Sequence, residues 1–421
     1  MKPLFFIFFL SVSLFSVSSQ TITLEECQEL AQQNYPLAGR QRLIDESAQN
    51  SVSALLRQYF PQMQINGQAS YQSDITRIEL GNLPPQLQSI DFPSPGLDQY
   101  KIYADISQTI YDGGTIANQK KMLNANASIE KGQVAVDMYK LRDRINKTYF
   151  GILLMDEQMK QMELLYSDLQ TAYDKVEIMY KNGVSLKSNQ QHLEAEMLNT
   201  NQLKQEILIQ KMSLIKVLSA LTGKEMNETS IFLRPQPINK FEIEIRPELN
   251  LISSQIDALQ IKNQQLTSMN IPKVLFFAQG GYGKPALNMF SDKFEPYFVA
   301  GVRLNWQLSS LYTLSKERNN LKVQEKSLQQ QKDIFILNQQ IEDIQQNGEL
   351  ETLKKKLKSD DEIIKLRSEI KNATKTELEN GVVTSADFIR DANAESRVRQ
   401  TKALHEIQLL VVQYALKWIK P

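Results

Sequence analysis

Apolar side chains recur in alternating steps of three and four through the middle of this chain: Met138, Leu141, Ile145, Thr148, Ile152, Met155, Met159, Met162, Tyr166, Leu169, Tyr173, Val176 and Tyr180. Only Thr148 is polar, and such spacing keeps one stripe of a helix facing a partner, as in a coiled-coil seam. No proline falls between Pro95 and Pro235, or between Pro296 and Pro421, and long helices need such tracts because proline removes an amide and clashes with the preceding turn. The pattern predicts a helix from about Asp112 to Lys181, roughly 100 Å long at ~1.5 Å per residue. A returning helix runs from about Leu186 to Leu221 and stops at Thr222-Gly223. Leu311 to Glu379 and Ala386 to Trp418 repeat the arrangement, and shorter helices open each half. Thr23-Leu24-Glu25-Glu26 has capping-box spacing, and Pro247 suits a first helical turn.

Between the helices the period changes from 3.5 to two. In Gln62–Gln72, Met63, Ile65, Gly67, Ala69 and Tyr71 alternate with amides and Ser70. Lys101–Tyr111 sets Ile102, Ala104, Ile106 and Ile110 against Lys101, Tyr103, Asp105, Ser107 and Thr109. Lys273–Gly283 alternates less cleanly, and Phe298–Leu308 sets Phe298, Ala300, Val302, Leu304, Trp306 and Leu308 against polar or small neighbours. Strands of this length, apolar on one side and polar on the other with Tyr or Trp near their ends, match outer-membrane strands, although a soluble sheet with one wet face fits the alternation too. Four strands cannot close a barrel, and an open edge in lipid leaves backbone groups unpaired, so closure requires other copies. Two copies would give eight strands, an interior filled by side chains; three give twelve and a lumen.

The chain repeats itself. Asn182-Gly183-Val184 recurs as Asn380-Gly381-Val382, an offset of 381 − 183 = 198 residues, and the segments around Ser107 and Asn305 keep the same offset. Two repeats, about 21–235 and 236–421, therefore make up a single domain after residue 20, with the two Gly turns as the helix-hairpin tips.

Composition narrows the function. Of 421 residues, 42% are apolar and 8% aromatic, with 48 basic and 48 acidic side chains, so no basic stripe points to nucleic acid. Met1-Lys2, the apolar run Leu4–Val17 and Ser18-Ser19-Gln20 read as a signal peptide over residues 1–20. Cys27 is the only cysteine, in a helix-start context rather than a lipid-attachment box, which rules out an intrachain disulfide. His192 and His405 stand isolated in the sequence, no catalytic constellation is visible, and Gly280-Gly281-Tyr282-Gly283 belongs to a strand rather than a phosphate loop. Neither an enzyme, a metal site nor a cofactor is expected.

TLEEC at the first helix, YFPQM before the first strand, QTIYDGG after the second, RPEL at Arg246–Leu249, IPKV before the third strand, NWQL in the fourth and the two Gly turns resemble, in order and spacing, the outer-membrane efflux protein (TolC) family. The resemblance implies a mixed helical and transmembrane-strand fold: a homotrimer whose four strands per protomer make a twelve-stranded barrel, continued by a helical barrel through the periplasm. It implies an exit duct in the outer membrane, embedded in lipid and joined by a periplasmic adaptor protein to an inner-membrane transporter. A duct for a type I protein exporter is the alternative within that class. From another class, a periplasmic coiled-coil scaffold would be recovered as a soluble monomer.

The same resemblance implies site residues. Asn182, Gly183, Val184, Asn380, Gly381 and Val382 would be the tips where the adaptor docks and the duct closes. The family usually has Asp six residues after each tip Gly; here the second half has Asp387 and the first Asn189. Three copies of Asp387 would form an acidic ring favouring cations, or the residue is a solvated charge welcomed by a helix start. Arg390 stands where acid is common in the family, and Val383 where some members have a bridging Arg. Asp105 and Arg303, equivalent in the repeat and opposite in charge, are lumen candidates that either tune ion passage or simply wet the barrel.

Overall fold

The computed structural model describes residues 21–75, 94–238 and 245–419, with side chains to Lys417. The signal peptide and most of the proline-rich first loop, including Leu83-Pro84-Pro85, lie outside the described residues. In chain order the elements are β1 (Thr21–Ile22), α1 (Leu24–Asn34), α2 (Arg40–Leu56), β2 (Gln62–Tyr71), β3 (Asp98–Tyr111), α3 (Thr115–Lys181), α4 (Lys187–Thr222), β4 (Ile231–Phe232), α5 (Pro247–Met269), β5 (Lys273–Lys284), β6 (Glu295–Asn305), α6 (Leu311–Glu379) and α7 (Ser385–Ile419). They form two compact units, and each takes segments from both sequence repeats.

One unit spans residues 39–134 and 248–334 and holds the sheet. Its strands pair antiparallel in the order β2-β3-β5-β6, which leaves β2 and β6 as edges. The register sorts the side chains by face. Gln64, Asp105, Gln279 and Val299 are successive partners across the sheet, as are Ile65, Ala104, Gly280 and Phe298. Because side chains alternate along each strand, every amide of β2 shares a face with Lys101, Tyr103, Asp105, Ser107 and Arg303, while Met63, Ile65, Ile102, Phe276, Val302 and Phe298 share the other. That second face is bare in the protomer: Ile65 is 77% and Phe298 80% exposed. A register shift between Thr109 and Tyr111 precedes the last pair of the β3–β5 ladder, Tyr111 with Val274.

The fourth strand differs from its predicted span. It runs Glu295–Asn305, so Trp306 and Leu308 lie beyond it, the latter opening a 3-10 turn, Leu308–Ser310. Pro296 thus falls inside β6, which is an edge strand, where a missing amide is tolerated. The Trp306 indole instead donates to the Asn270 carbonyl at 3.1 Å.

The other unit comprises residues 21–38, 135–247 and 335–419. Its larger core joins Ile22, Leu24, Cys27 and Ala31 to Ile145, Tyr149, Phe150 and Ile152 of α3, Ile215 and Leu218 of α4, and Ile407 and Tyr414 of α7. The seam residues Ile145, Ile152, Leu169 and Val176 are fully buried, whereas Tyr149, Phe150 and Leu153, off the seam, are buried as well. A heptad template scores one stripe, but this stretch of α3 packs against several elements at once. The Tyr149 hydroxyl lies 2.8 Å from the Ile22 carbonyl and 2.7 Å from that of Leu233, tying β1 and the end of β4 to the helix.

Two further expectations change. Thr23 caps α1 by accepting from the Glu26 amide at 3.1 Å, but the Glu26 carboxylate takes Lys224 at 2.6 Å rather than completing a visible capping box. His405 is not isolated: its Nδ1 lies 2.6 Å from Asp360 of α6. Cys27 is buried, and burial pushes its thiol up to about 12, so it packs as a small apolar group.

Candidate functional site

The two helix-hairpin turns are built alike. After α3, the amides of Gly183 and Val184 donate to Tyr180 and Met179 carbonyls at 2.9 and 2.8 Å; after α6, those of Gly381 and Val382 donate to Leu378 and Glu377 at 3.0 and 2.9 Å. These bonds satisfy the last carbonyls of each helix and need a left-handed residue at the turn. Gly183 and Gly381 supply it, with φ of 76° and 73°. Val184 and Val382 point outward beside them, and Asn182 and Asn380 close the preceding turns through their amides.

Beyond the turns the hairpins diverge. Thr384 starts α7 with a reciprocal capping box: its amide and hydroxyl donate to Asp387 Oδ2 at 3.2 and 2.7 Å, and the Asp387 amide returns a bond to the Thr384 hydroxyl at 3.4 Å. Arg390 Nη1 pairs with the second Asp387 oxygen at 3.2 Å, and its Nε lies 3.5 Å from Asp391. The hydroxyl bond from Thr384, then its amide, then Arg390 hold the Asp387 carboxyl below the usual carboxylate range. Both oxygens are thus engaged within one helix turn, the arrangement expected of a helix-start charge. Thr384-Ser385-Ala386-Asp387 carried this signal in its spacing.

Asn189, at the equivalent place in α4, does different work. Its amide nitrogen donates to Ser185 at 3.2 Å, and its oxygen accepts from the Ser385 hydroxyl at 3.1 Å. Ser385 is fully buried, so Asn189 stitches one hairpin to the other. Behind the tips, Leu169, Val176, Leu193, Leu378 and Phe388 form a shared core, with Val383 packed against it.

A second link was invisible in the sequence. Lys371 of α6 reaches Asp168 of α3 and Glu395 of α7, each at 2.7 Å, and Glu395 also takes Arg399 at 2.6 Å. Glu395 is nearly buried, and burial alone would raise its carboxyl, but the bonds from Lys371 and Arg399 outweigh that and lower it. Burial likewise opposes the charge of Lys371, and its two carboxylates win, raising it. The partners come from three helices far apart in sequence, so no local spacing announces them.

In the sheet unit, Asp105 and Arg303 do share the polar face but do not meet. Asp105 lies between Gln64 and Gln279, while the Arg303 guanidinium sits 4.8 Å above the Phe277 ring. Aromatic side chains crowd the strand ends: Tyr282 stacks on Phe294 at 5.8 Å, and Tyr100 lies 6.2 Å from the same ring. Among the described residues no helix is long and apolar enough to cross a membrane, and no cluster of metal-ligating side chains occurs.

No protein-family model and no curated protein matches the sequence. Solved structures do match over nearly the whole chain. The outer membrane protein VceC from Vibrio cholerae is 12% identical, with 93% of this chain and 94% of that one covered at a TM-score of 0.68. A membrane protein from Pseudomonas aeruginosa is 11% identical, covering 94% and 93% at 0.71. The CmeC outer membrane channel of Campylobacter jejuni is 12% identical, covering 94% and 84% at 0.64. This chain therefore has the fold of the outer-membrane efflux channels, the TolC fold.

Proposed function

We propose that the protein is the outer-membrane exit duct of a tripartite efflux assembly. Three copies close a twelve-stranded barrel in the outer membrane, the helices extend into the periplasm, and small molecules pass outward from an inner-membrane pump through a periplasmic adaptor seated on the Gly183 and Gly381 tips. The observation that carries this reading is the sheet: one face of exposed Ile, Val and Phe, one of amides and charges, and two edges open in the protomer. Strands of 10 to 14 residues are long enough to cross the hydrocarbon when tilted, and only closure by further copies satisfies their edges in lipid. VceC is an outer membrane protein and CmeC an outer membrane channel, in keeping with this use of the fold.

Extraction and mass provide the test. The mature protein should sediment with outer membranes, need detergent for release, and run as a trimer by light scattering. Recovery as a soluble monomer in plain buffer would falsify the duct and favour a periplasmic scaffold. Deleting genes for candidate adaptors and pumps, one at a time, should abolish export of the cognate solute without changing trimer yield.

A further inference from the structure

At one end of the sheet the chain passes to helices: α2 leads into β2, β3 leads to α3, α5 precedes β5, and β6 is followed by α6. At that helix end Lys273 faces Asn305 and Leu275 faces Arg303. Lys273 and Arg303 are therefore diagonal neighbours on the polar face, about 7–8 Å apart at the backbone. Among the described residues no carboxylate pairs with either. Asp112, just past β3, spends its two oxygens on the amides of Gly114 and Ile116 at 2.9 and 2.6 Å, capping α3.

The other charges of this face lie further along. Asp105 is midway, opposite Gln64 and Gln279, and at the loop end Lys101 and Glu295 flank Gly283 in one row, so their charges offset each other. Among the described residues of this face, positive charge is thus left unbalanced at the helix end.

Arg303 is also held in place. Gly301 lies directly opposite Phe277, and a Cβ at Gly301 would stand 3.1 Å from a carbon of that ring. The missing side chain lets Phe277 lie flat against the strand, and the Arg303 guanidinium rests 4.8 Å above it. A Phe on a wet face gains a purpose as this platform. Contact with the ring face restrains the guanidinium while leaving N–H groups for a planar oxyanion, a role Lys cannot copy.

We infer that Lys273 and Arg303, repeated around the trimer, form an anion-selecting ring at the periplasmic mouth of the barrel, favouring solutes that carry carboxylate, sulfonate or phosphate groups. The inference rests on the duct reading, which makes the polar face the lumen. Rings of basic side chains select anions because the fixed charge raises the local concentration of counter-ions in a narrow polar passage. The tips do not cancel it, since Arg390 pairs with Asp387 there.

The test is a reversal potential across planar bilayers holding the purified trimer in a potassium chloride gradient. K273Q/R303Q should lower the chloride-to-potassium permeability ratio at least about threefold, while Lys101→Gln, beside Glu295, should change it less. Phe277→Leu keeps the charge but loses the platform; block by benzene-1,3,5-tricarboxylate should weaken several-fold with the reversal potential little moved. Conducting double-variant channels with the wild-type ratio would overturn the ring and leave the duct standing. A wild-type trimer that never conducts would remove both.

Discussion

The two hairpins have nearly equal helices and matching Gly turns, yet they are held together by different chemistry. In the first, Tyr173 of α3 and Met197 of α4 each pack against the shared apolar core. At the positions 198 residues on, the second hairpin has Lys371 and Glu395, joined at 2.7 Å and tied onward to Asp168. Phe388, fully buried, likewise corresponds to Gln190, which donates to the Tyr173 hydroxyl at 2.9 Å. Duplication fixes length and turn geometry, because those follow from backbone constraints, and lets the side-chain contacts drift, because each hairpin packs both within itself and against the other.

The largest expected asymmetry is in packing. Phe388→Ala should cost about 3–5 kcal/mol in denaturant unfolding of the solubilised protein, since it empties a buried site among Leu169, Leu193 and Leu378. Gln190→Ala should cost about 1 kcal/mol, the worth of one hydrogen bond. Equal losses would remove the asymmetry between the two hairpins in that shared core.

Charge comes next. Lys371→Ala leaves Glu395 with Arg399 alone and Asp168 without its cation, and should cost about 3 kcal/mol, the low end for breaking a buried pair. Replacing Lys371 and Glu395 together by Met should recover most of that, as a double-mutant cycle would read. A cycle with no coupling would reduce the network to solvated charges.

Caps differ more gently. Thr384→Ala removes the α7 capping box and should cost about 1 kcal/mol. Leu186, the residue before α4, makes no side-chain cap, so Leu186→Ser should stabilise by up to about 1 kcal/mol. A loss on adding that serine would mean that Leu186 has a packing role.

The smallest effect is acid sensitivity. The folded-state carboxyl of Asp387 is depressed by Thr384 and Arg390, so its contribution is present above the ordinary carboxylate range and lost as pH falls through the depressed value. Wild type should therefore exceed Asp387→Asn in stability at neutral pH, with the gap closing in strong acid. Asn189 carries no proton to lose, and the first hairpin should show no such term at that position. A gap that widens in acid would contradict the capping role.

Much of the architecture was legible in the chain because it is periodic. Steps of three and four located α3, period two located the strands to within a few residues, and the repeated Asn-Gly-Val marked both left-handed turns. Local capping signals, too, carry their partners within one turn, as Thr384 and Asp387 do. The start of β6 was placed late because the apolar alternation begins only at Phe298, whereas the pairing with β5 reaches back to Glu295.

Tertiary structure decided the rest. Only the register brought Lys273 beside Arg303 and laid Phe277 over Gly301. Only packing placed Asp168, Lys371 and Glu395 together, set Ser385 against Asn189, and gave His405 its carboxylate. Periodicity is written by the geometry of a single element, so one sequence suffices to read it. A pairing between elements depends on which face each turns to the other, and that is fixed only when the whole set packs.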